Sequence, residues 1–419
     1  MSPKPPVTVN GTQYRWPDQP LVVVCIDGGD PAYFRRFLAE GAIPHIARFI
    51  QQGFSAVAEG TMPSFTCPNN MSIITGTPAA KHGISGNYYL DTATGKPIVM
   101  TGPELLRGDT ILSRFAAAGA KVISITAKDK LRKQLGKNLD VSKGNISFSS
   151  EFASKATLAE NGIDNVLAIT GMAQPDMYSM ELSLFVLEAG IQLLERKRPD
   201  LMYLSLTDWV QHKYAPEESE AKRFYRALDE RFGRLAALGA TLALTADHGM
   251  NDKSNREGRP NVIWLQDILD QKFGKGDTRV ICPITDAFVG HHGALGGFVR
   301  VYCQGSAKPR EVIAAIAAID GVEQALSRED VCRLYELPPD REGDVAVISR
   351  ADVCIGGAEA EHDLSGLKGH RLRTHGGVSE AKVPVIINRP LNEAYRLKTA
   401  GGLLKSYEIF DYALNGVAL

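Results

Sequence analysis

Apolar residues in this chain gather in short unbroken runs, separated by stretches with helical spacing. Leu21-Val22-Val23-Val24-Cys25-Ile26 is the first run. An unbroken run of this kind predicts a strand buried on both faces of a parallel sheet. It stops at Asp27-Gly28-Gly29, and Asp30-Pro31 then supplies an N-cap and first-turn pair for a helix to about Leu38. A second helix is predicted near His45–Gln52, closed by Gly53. Asn69–Thr75 reads as a helix and Gly76–Tyr89 as a loop. Ile111–Ala118 is a helix ended by Gly119, and the strand Lys121–Thr126 leads into Lys128-Asp129-Lys130. Met180–Arg198 predicts a long amphipathic helix. The strand Leu201–Leu206 ends at Thr207-Asp208, a charged helix runs from Pro216 to about Leu238, and the strand Thr241–Thr245 leads to Asp247-His248-Gly249.

Strands alternating with helices predict an α/β fold, a parallel sheet sandwiched between helices. From about Pro260 to Arg350 the pattern changes. Arg279–Pro283, Gly297–Cys303, Val331–Leu337 and Asp344–Ile348 read as short strands around a helix at Pro309–Ile319. Residues 260–350 are therefore expected to form a small α+β cap inserted in a core made of 1–259 and 351–419. The core resumes with Arg373-Thr374-His375-Gly376-Gly377, a strand at Val383–Asn388 and a helix around Tyr407–Leu414.

Composition narrows the class. The chain has 419 residues, 44% of them hydrophobic, and a formal net charge of −1, so no global field draws in nucleic acid or membranes. The Met1–Asp18 stretch is polar and Pro-rich, without the apolar region of a signal peptide, and no apolar run reaches the length of a membrane span. Six cysteines at 25, 67, 282, 303, 332 and 354 form no CxxC pair and read as reduced thiols. A cytoplasmic location is expected.

Asp27, Asp208, Asp247 and the Lys128 loop all follow strand C-termini, the edge where open α/β sheets bind ligands. Asp208-x-x-x-His212 puts two ligand-type side chains on one side of a helical turn. Asp247-His248 adds two more, and His375 precedes a Gly-Gly turn that lets backbone approach closely. Carboxylates and imidazoles without a thiolate cluster suit Zn²⁺, with Mn²⁺ or Fe²⁺ left open. Thr66 is a plain alcohol that needs activation to act as a nucleophile. Its place before the Asn69–Thr75 helix puts it at a helix N-terminus, which favours phosphate. Taken singly, each of these pieces has an ordinary explanation as a cap or a turn. Their arrival at one rim is what points to metal chemistry.

As a set, the residues resemble the alkaline phosphatase superfamily, in its nucleotide pyrophosphatase/phosphodiesterase-like branch. The matching pieces are Asp27, Phe65-Thr66-Cys67-Pro68-Asn69, His82-Gly83-Ile84 with Asn87, Asp208-x-x-x-His212, Ala246-Asp247-His248-Gly249-Met250 and Thr374-His375-Gly376-Gly377. The resemblance implies one metal held by Asp27, Thr66, Asp247 and His248, and a second held by Asp208, His212 and His375. It implies that Thr66 is the nucleophile and that Asn87 donates to a phosphoryl oxygen. The phrases Ala127-Lys128-Asp129-Lys130-Leu131-Arg132 and Ser205–Pro216 are further similar to the phosphonoacetate-cleaving members of that branch. They imply hydrolysis of a C–P bond to acetate and phosphate, with Lys128 and Lys130 holding the substrate carboxylate. Expected substrate contacts are then Thr66, Asn87, Lys128, Lys130, His212 and His375.

His291-His292 matches nothing in that pattern and reads as structural or as lining the pocket mouth. The alternatives are a nucleotide phosphodiesterase, a mutase on the same core, and a metal- or phosphate-binding protein without turnover. A phosphodiesterase would need an aromatic slot, for which Tyr88 and Tyr89 are candidates in a chain with 7% aromatics. A small phosphonate is the expected partner, and a homodimer is left open.

Overall fold

The computed structural model describes residues 4–100, 102–285, 290 and 292–418. The first apolar run forms β1, Leu21–Cys25, all five residues buried. It lies near the middle of a seven-stranded sheet with β2 (Phe54–Glu59), β3 (Val122–Thr126), β4 (Ile146–Ser149), β5 (Leu201–Ser205), β6 (Thr241–Thr245) and β7 (Lys382–Ile387). The order across the sheet is β2-β7-β6-β1-β5-β3-β4. The five strands from β6 to β4 are parallel, whereas β7 runs antiparallel to both β6 and β2.

Side-chain alternation along β1 explains why its pattern is unbroken. Val22 and Val24 join one buried cluster with Phe185, Leu187, Tyr225 and Phe232 from the helices Glu181–Lys197 and Ser219–Ala237. Val23 and Cys25 join another on the opposite face, with Met71 and Ile74 of the helix Thr66–Thr75. Each such aliphatic side chain contributes about 1.5–3 kcal/mol by leaving water. The Thr66–Thr75 helix is buried along its whole length, so its first turn cannot drift relative to the sheet.

The later segment forms a four-stranded antiparallel sheet in the order Thr278–Ile281, Phe298–Cys303, Val345–Ser349, Val322–Ser327. A further strand pair, Val262–Trp264 with Cys354–Gly356, is parallel and straddles residue 350. Val331–Leu337, expected as a strand, is instead helical over Arg328–Tyr335. The reason is a local cap: Ser327 Oγ accepts from the Asp330 N–H at 3.1 Å, and Glu329 and Asp330 occupy the first turn, where the helix dipole favours acids. The fourth strand is Val322–Ser327, just before that cap. Among the described residues, no helix is long and apolar enough to cross a membrane.

Met62, Phe65 and Ala79 belong to the same apolar cluster as Phe298, Val299 and Val347 of the second sheet. This sheet therefore packs directly on the segment leading to Thr66. A buried ion pair reinforces the contact. Arg300 Nε and Nη2 each donate to Glu342 at 2.6 Å, and Nη2 also donates to the Ser85 carbonyl at 2.6 Å, with every charged side chain fully buried. Removing one member strands a buried charge, whereas replacing both by apolar groups does not. Glu342→Leu should therefore lower stability by about 3–5 kcal/mol, and Arg300→Met combined with Glu342→Leu should recover much of that loss, as read from urea unfolding curves.

Candidate active site

The C-terminal ends of β1, β5 and β6 deliver Asp27, Asp208 and Asp247 to one rim, all three buried. Gly28 lets the first two meet. It adopts φ 68°, and a Cβ there would lie 3.1 Å from Asp208 Cβ. Asp208 precedes the short helix Trp209–Lys213, so His212 Nε2 returns to within 3.0 Å of Asp208 Oδ2. His375 arrives from the other side, its Nε2 3.7 Å from the same oxygen. Its ring stacks on His248 with centroids 3.4 Å apart. Gly376, at φ 124°, makes this approach feasible, since a Cβ would collide with the Phe65 ring.

Thr66 is the first residue of its helix, and its Oγ1 lies 3.4 Å from His248 Nε2. Asn87 Oδ1 accepts from the Cys67 N–H at 3.1 Å, and its Nδ2 donates to the Ile284 carbonyl at 3.2 Å. Asn87 thus ties the helix start to the second sheet's segment. Lys128 directly precedes the helix Asp129–Leu135, and its buried ammonium reaches Asp27 Oδ2 at 3.3 Å and Asp208 Oδ1 at 3.0 Å. Lys130 lies two residues on, half-buried. All the sequence-predicted site residues except Lys130 are buried.

The three histidines share one hydrogen-bonding arrangement. Nδ1 of His212, His248 and His375 lies 2.6, 2.9 and 2.7 Å from the carbonyls of Arg373, Gly249 and Ser64. An Nδ1–H donated to a carbonyl leaves the Nε2 lone pair available, the usual state of a metal-ligating imidazole. Among the described residues, two groups of donor atoms lie close enough to hold a cation: Asp27 with Asp247 and His248, and Asp208 with His248 and His375. Asp27 Oδ1 is buried and lies 3.2 Å from His248 Nε2, the spacing of two ligand atoms facing one cation.

Electrostatics agree. Burial and then the neighbouring Asp27 push the Asp247 carboxyl well above the usual carboxylate range. Burial alone would lower His248, but Asp247, Asp27 and Asp208 raise it to about 9. Burial, then His248 and His212, push His375 far below the ordinary imidazole value. Such opposed shifts mark a pocket crowded with buried like charges, and divalent cations would relieve them.

Some participants have little or no sequence signal. Asn70 donates to Asp247 Oδ2 at 3.2 Å and to the Thr66 carbonyl at 3.0 Å, and it accepts from the hydroxyls of Tyr203 and Ser205. Adjacent asparagines inside a wholly buried helix are the one cue the sequence offers. Glu380 links the two histidine segments: its carbonyl accepts from the Gly249 N–H, and Oε2 accepts from the Gly377 N–H. Its other oxygen holds the fully buried Lys253 at 2.9 Å. His292 is buried with its ring 5.3 Å from that of His212, whereas His291 lies outside the described residues. His82 bonds Ser72 Oγ and the Ile84 N–H, a structural role at the back of the Thr66–Thr75 helix. Tyr88 and Tyr89 pack on apolar clusters, Tyr88 beside Leu90, Ile281 and Tyr302.

Comparison with known proteins follows this geometry. The sequence profile of type I phosphodiesterases / nucleotide pyrophosphatases matches residues 21–377. Phosphonoacetate hydrolase from Sinorhizobium meliloti 1021, solved in complex with phosphonoformate, is 46% identical, covers 100% of both chains and superposes with a TM-score of 0.93. The same protein has been solved with phosphonoacetate. An uncharacterized pyrophosphatase/phosphodiesterase of Schizosaccharomyces pombe is 22% identical over 260 residues, 60% of this chain and 48% of that one. A phosphonoacetate hydrolase of Penicillium oxalicum is 33% identical over 72 residues, 17% of this chain and 89% of that one. The chain spans about half the length of the first curated relatives it matches. The sheet, the acid–histidine rim and these similarities together identify the chain as a member of the type I phosphodiesterase / nucleotide pyrophosphatase family.

Proposed function

We propose that this protein hydrolyses the carbon–phosphorus bond of phosphonoacetate to acetate and phosphate. The observation that carries the reading is the Thr66 hydroxyl at a buried helix start, 3.4 Å from His248 in the Asp27–Asp247–His248 cluster. Full-length similarity to the Sinorhizobium meliloti hydrolase directs the choice of substrate. Asp27, Thr66, Asp247 and His248 would hold one divalent cation, and Asp208, His212 and His375 a second. Zinc suits these oxygen and nitrogen donors, and two such ions would supply Lewis-acid activation of the Thr66 hydroxyl and neutralise phosphoryl charge.

Thr66 gives its hydroxyl proton to water as Oγ attacks phosphorus, the C–P bond breaks, and the electron pair passes to the carboxymethyl carbon. That carbanion is delocalised into its carboxylate as an enolate and takes a proton from water to give acetate. Lys128 and Lys130 receive the carboxylate and the charge that develops on it, which makes them more valuable in the transition state than in the ground state. The side-chain amide of Asn87, whose oxygen accepts from the Cys67 N–H at the helix start, would donate to a phosphoryl oxygen. Water then hydrolyses phosphothreonine and frees Thr66.

Elemental analysis should find close to two equivalents of divalent metal, reduced in Asp247→Ala, and chelation should abolish phosphate release. Metal-free protein with full activity would end this reading. Thr66→Ala should keep most of its metal yet lose at least about a thousandfold in kcat, with Thr66→Ser partly active. A charge-assisted hydrogen bond contributes roughly 1.5–3 kcal/mol, so Lys130→Ala should reduce kcat/KM for phosphonoacetate about ten- to a hundredfold, partly in kcat. Hydrolysis of an activated aryl phosphodiester without a carboxylate should be nearly unaffected by that change. Equal losses on both substrates would move the assignment to a general phosphodiesterase.

A further inference from the structure

Lys128 holds a position that a receptor for the substrate carboxylate does not require. Its ammonium bridges two acids that belong to different halves of the proposed metal centre, Asp27 after β1 and Asp208 after β5. The division of oxygens is consistent on both sides. Asp27 offers Oδ2 to Lys128, while its Oδ1 faces His248 Nε2 at 3.2 Å. Asp208 offers Oδ1 to Lys128, while its Oδ2 faces His212 Nε2 at 3.0 Å and His375 Nε2 at 3.7 Å. In each carboxylate one oxygen meets an imidazole and the other meets the shared Lys128 ammonium.

We propose that Lys128 is a positioning residue that fixes, through a single ammonium, which oxygen of Asp27 and of Asp208 is presented to each half of the centre. The inference rests on the metal reading above and adds a role for Lys128 that precedes substrate. A carboxylate free to rotate can chelate through both oxygens. One whose second oxygen is held by a buried ammonium presents the first alone. Because both acids share the same donor, Lys128 also fixes the separation of the two halves. Asp247 needs no such tie: its Oδ1 accepts from the N–H groups of Gly28 and His248, and its Oδ2 accepts from Asn70. The three acids are thus oriented by two devices, backbone and amide donors for one and Lys128 for the other two. The burial of Lys128, 2% exposed, keeps water from competing for those oxygens. Outer-sphere partners of this kind orient ligands and tune a metal centre.

The test uses substrate-free protein, so that carboxylate binding has no part in the readout. Wild type, Lys128→Met, Lys128→Arg and Lys130→Met are loaded with cobalt(II), their visible spectra recorded, and cobalt affinity measured by competition with a chelator. Lys128→Met should shift the cobalt bands and weaken affinity about 10- to 100-fold. Lys128→Arg should lie between it and wild type, and Lys130→Met should match wild type. If Lys128→Met fails to fold, Lys128→Gln takes its place, since its amide nitrogen carries no charge and sits one bond nearer the backbone than the ammonium that bridges the two carboxylates. A wild-type spectrum and affinity in Lys128→Met or Lys128→Gln would overturn the inference, as would an equal shift in Lys130→Met. Wild-type protein that takes up no cobalt would overturn the metal reading itself, and this inference with it.

Discussion

Three aspartates buried within a few ångströms of one another are the constraint around which this fold is arranged. Uncompensated, such a group would be costly, because each carboxylate loses its hydration and repels the others. The chain compensates with local devices. Lys128 bridges Asp27 and Asp208, Gly28, His248 and Asn70 donate to Asp247, and the imidazoles of His212, His248 and His375 close the remaining side. Burial and the neighbouring Asp27 still hold the Asp247 carboxyl well above the usual carboxylate range, so this compensation is partial in the protein alone. A site left partly unbalanced is one prepared for cations.

The surrounding structure serves to make that crowding rigid. Parallel strands buried on both faces bring the acids to one edge without needing flexible loops. The imidazoles are aimed by carbonyls from segments distant in sequence, Arg373 for His212 and Ser64 for His375. Glu380, held by Lys253, clamps the 247–249 segment against 375–377. The second sheet contributes through Arg300, whose contact with Ser85 lies two residues from Asn87. Thr66 is thereby placed by the core on one side and by Phe298 packing on Phe65 on the other, the ring centroids being 6.5 Å apart.

The sequence by itself determined the layered α/β class, the buried β1 strand, a helix over Asn69–Thr75 that the structure extends back to Thr66, and the rim of Asp27, Asp208, Asp247 and His248. These are local properties: an unbroken apolar run, a cap residue and a polar residue just past a strand each act over a few positions. The spacing of Asp208 and His212 was legible for the same reason, since one helical turn fixes it. Direction and partnership were not. The apolar run of β7 carries no sign of its polarity, so its antiparallel course was decided by where the inserted segment returned the chain. The helix at Arg328–Tyr335 shows a local cap overruling an apolar run that read as strand. Which carbonyls orient His212 and His375, and the bridging of two acids by Lys128, also required the tertiary structure. Those contacts join residues 80 to 311 positions apart, and pattern along the chain holds no information about distances across it.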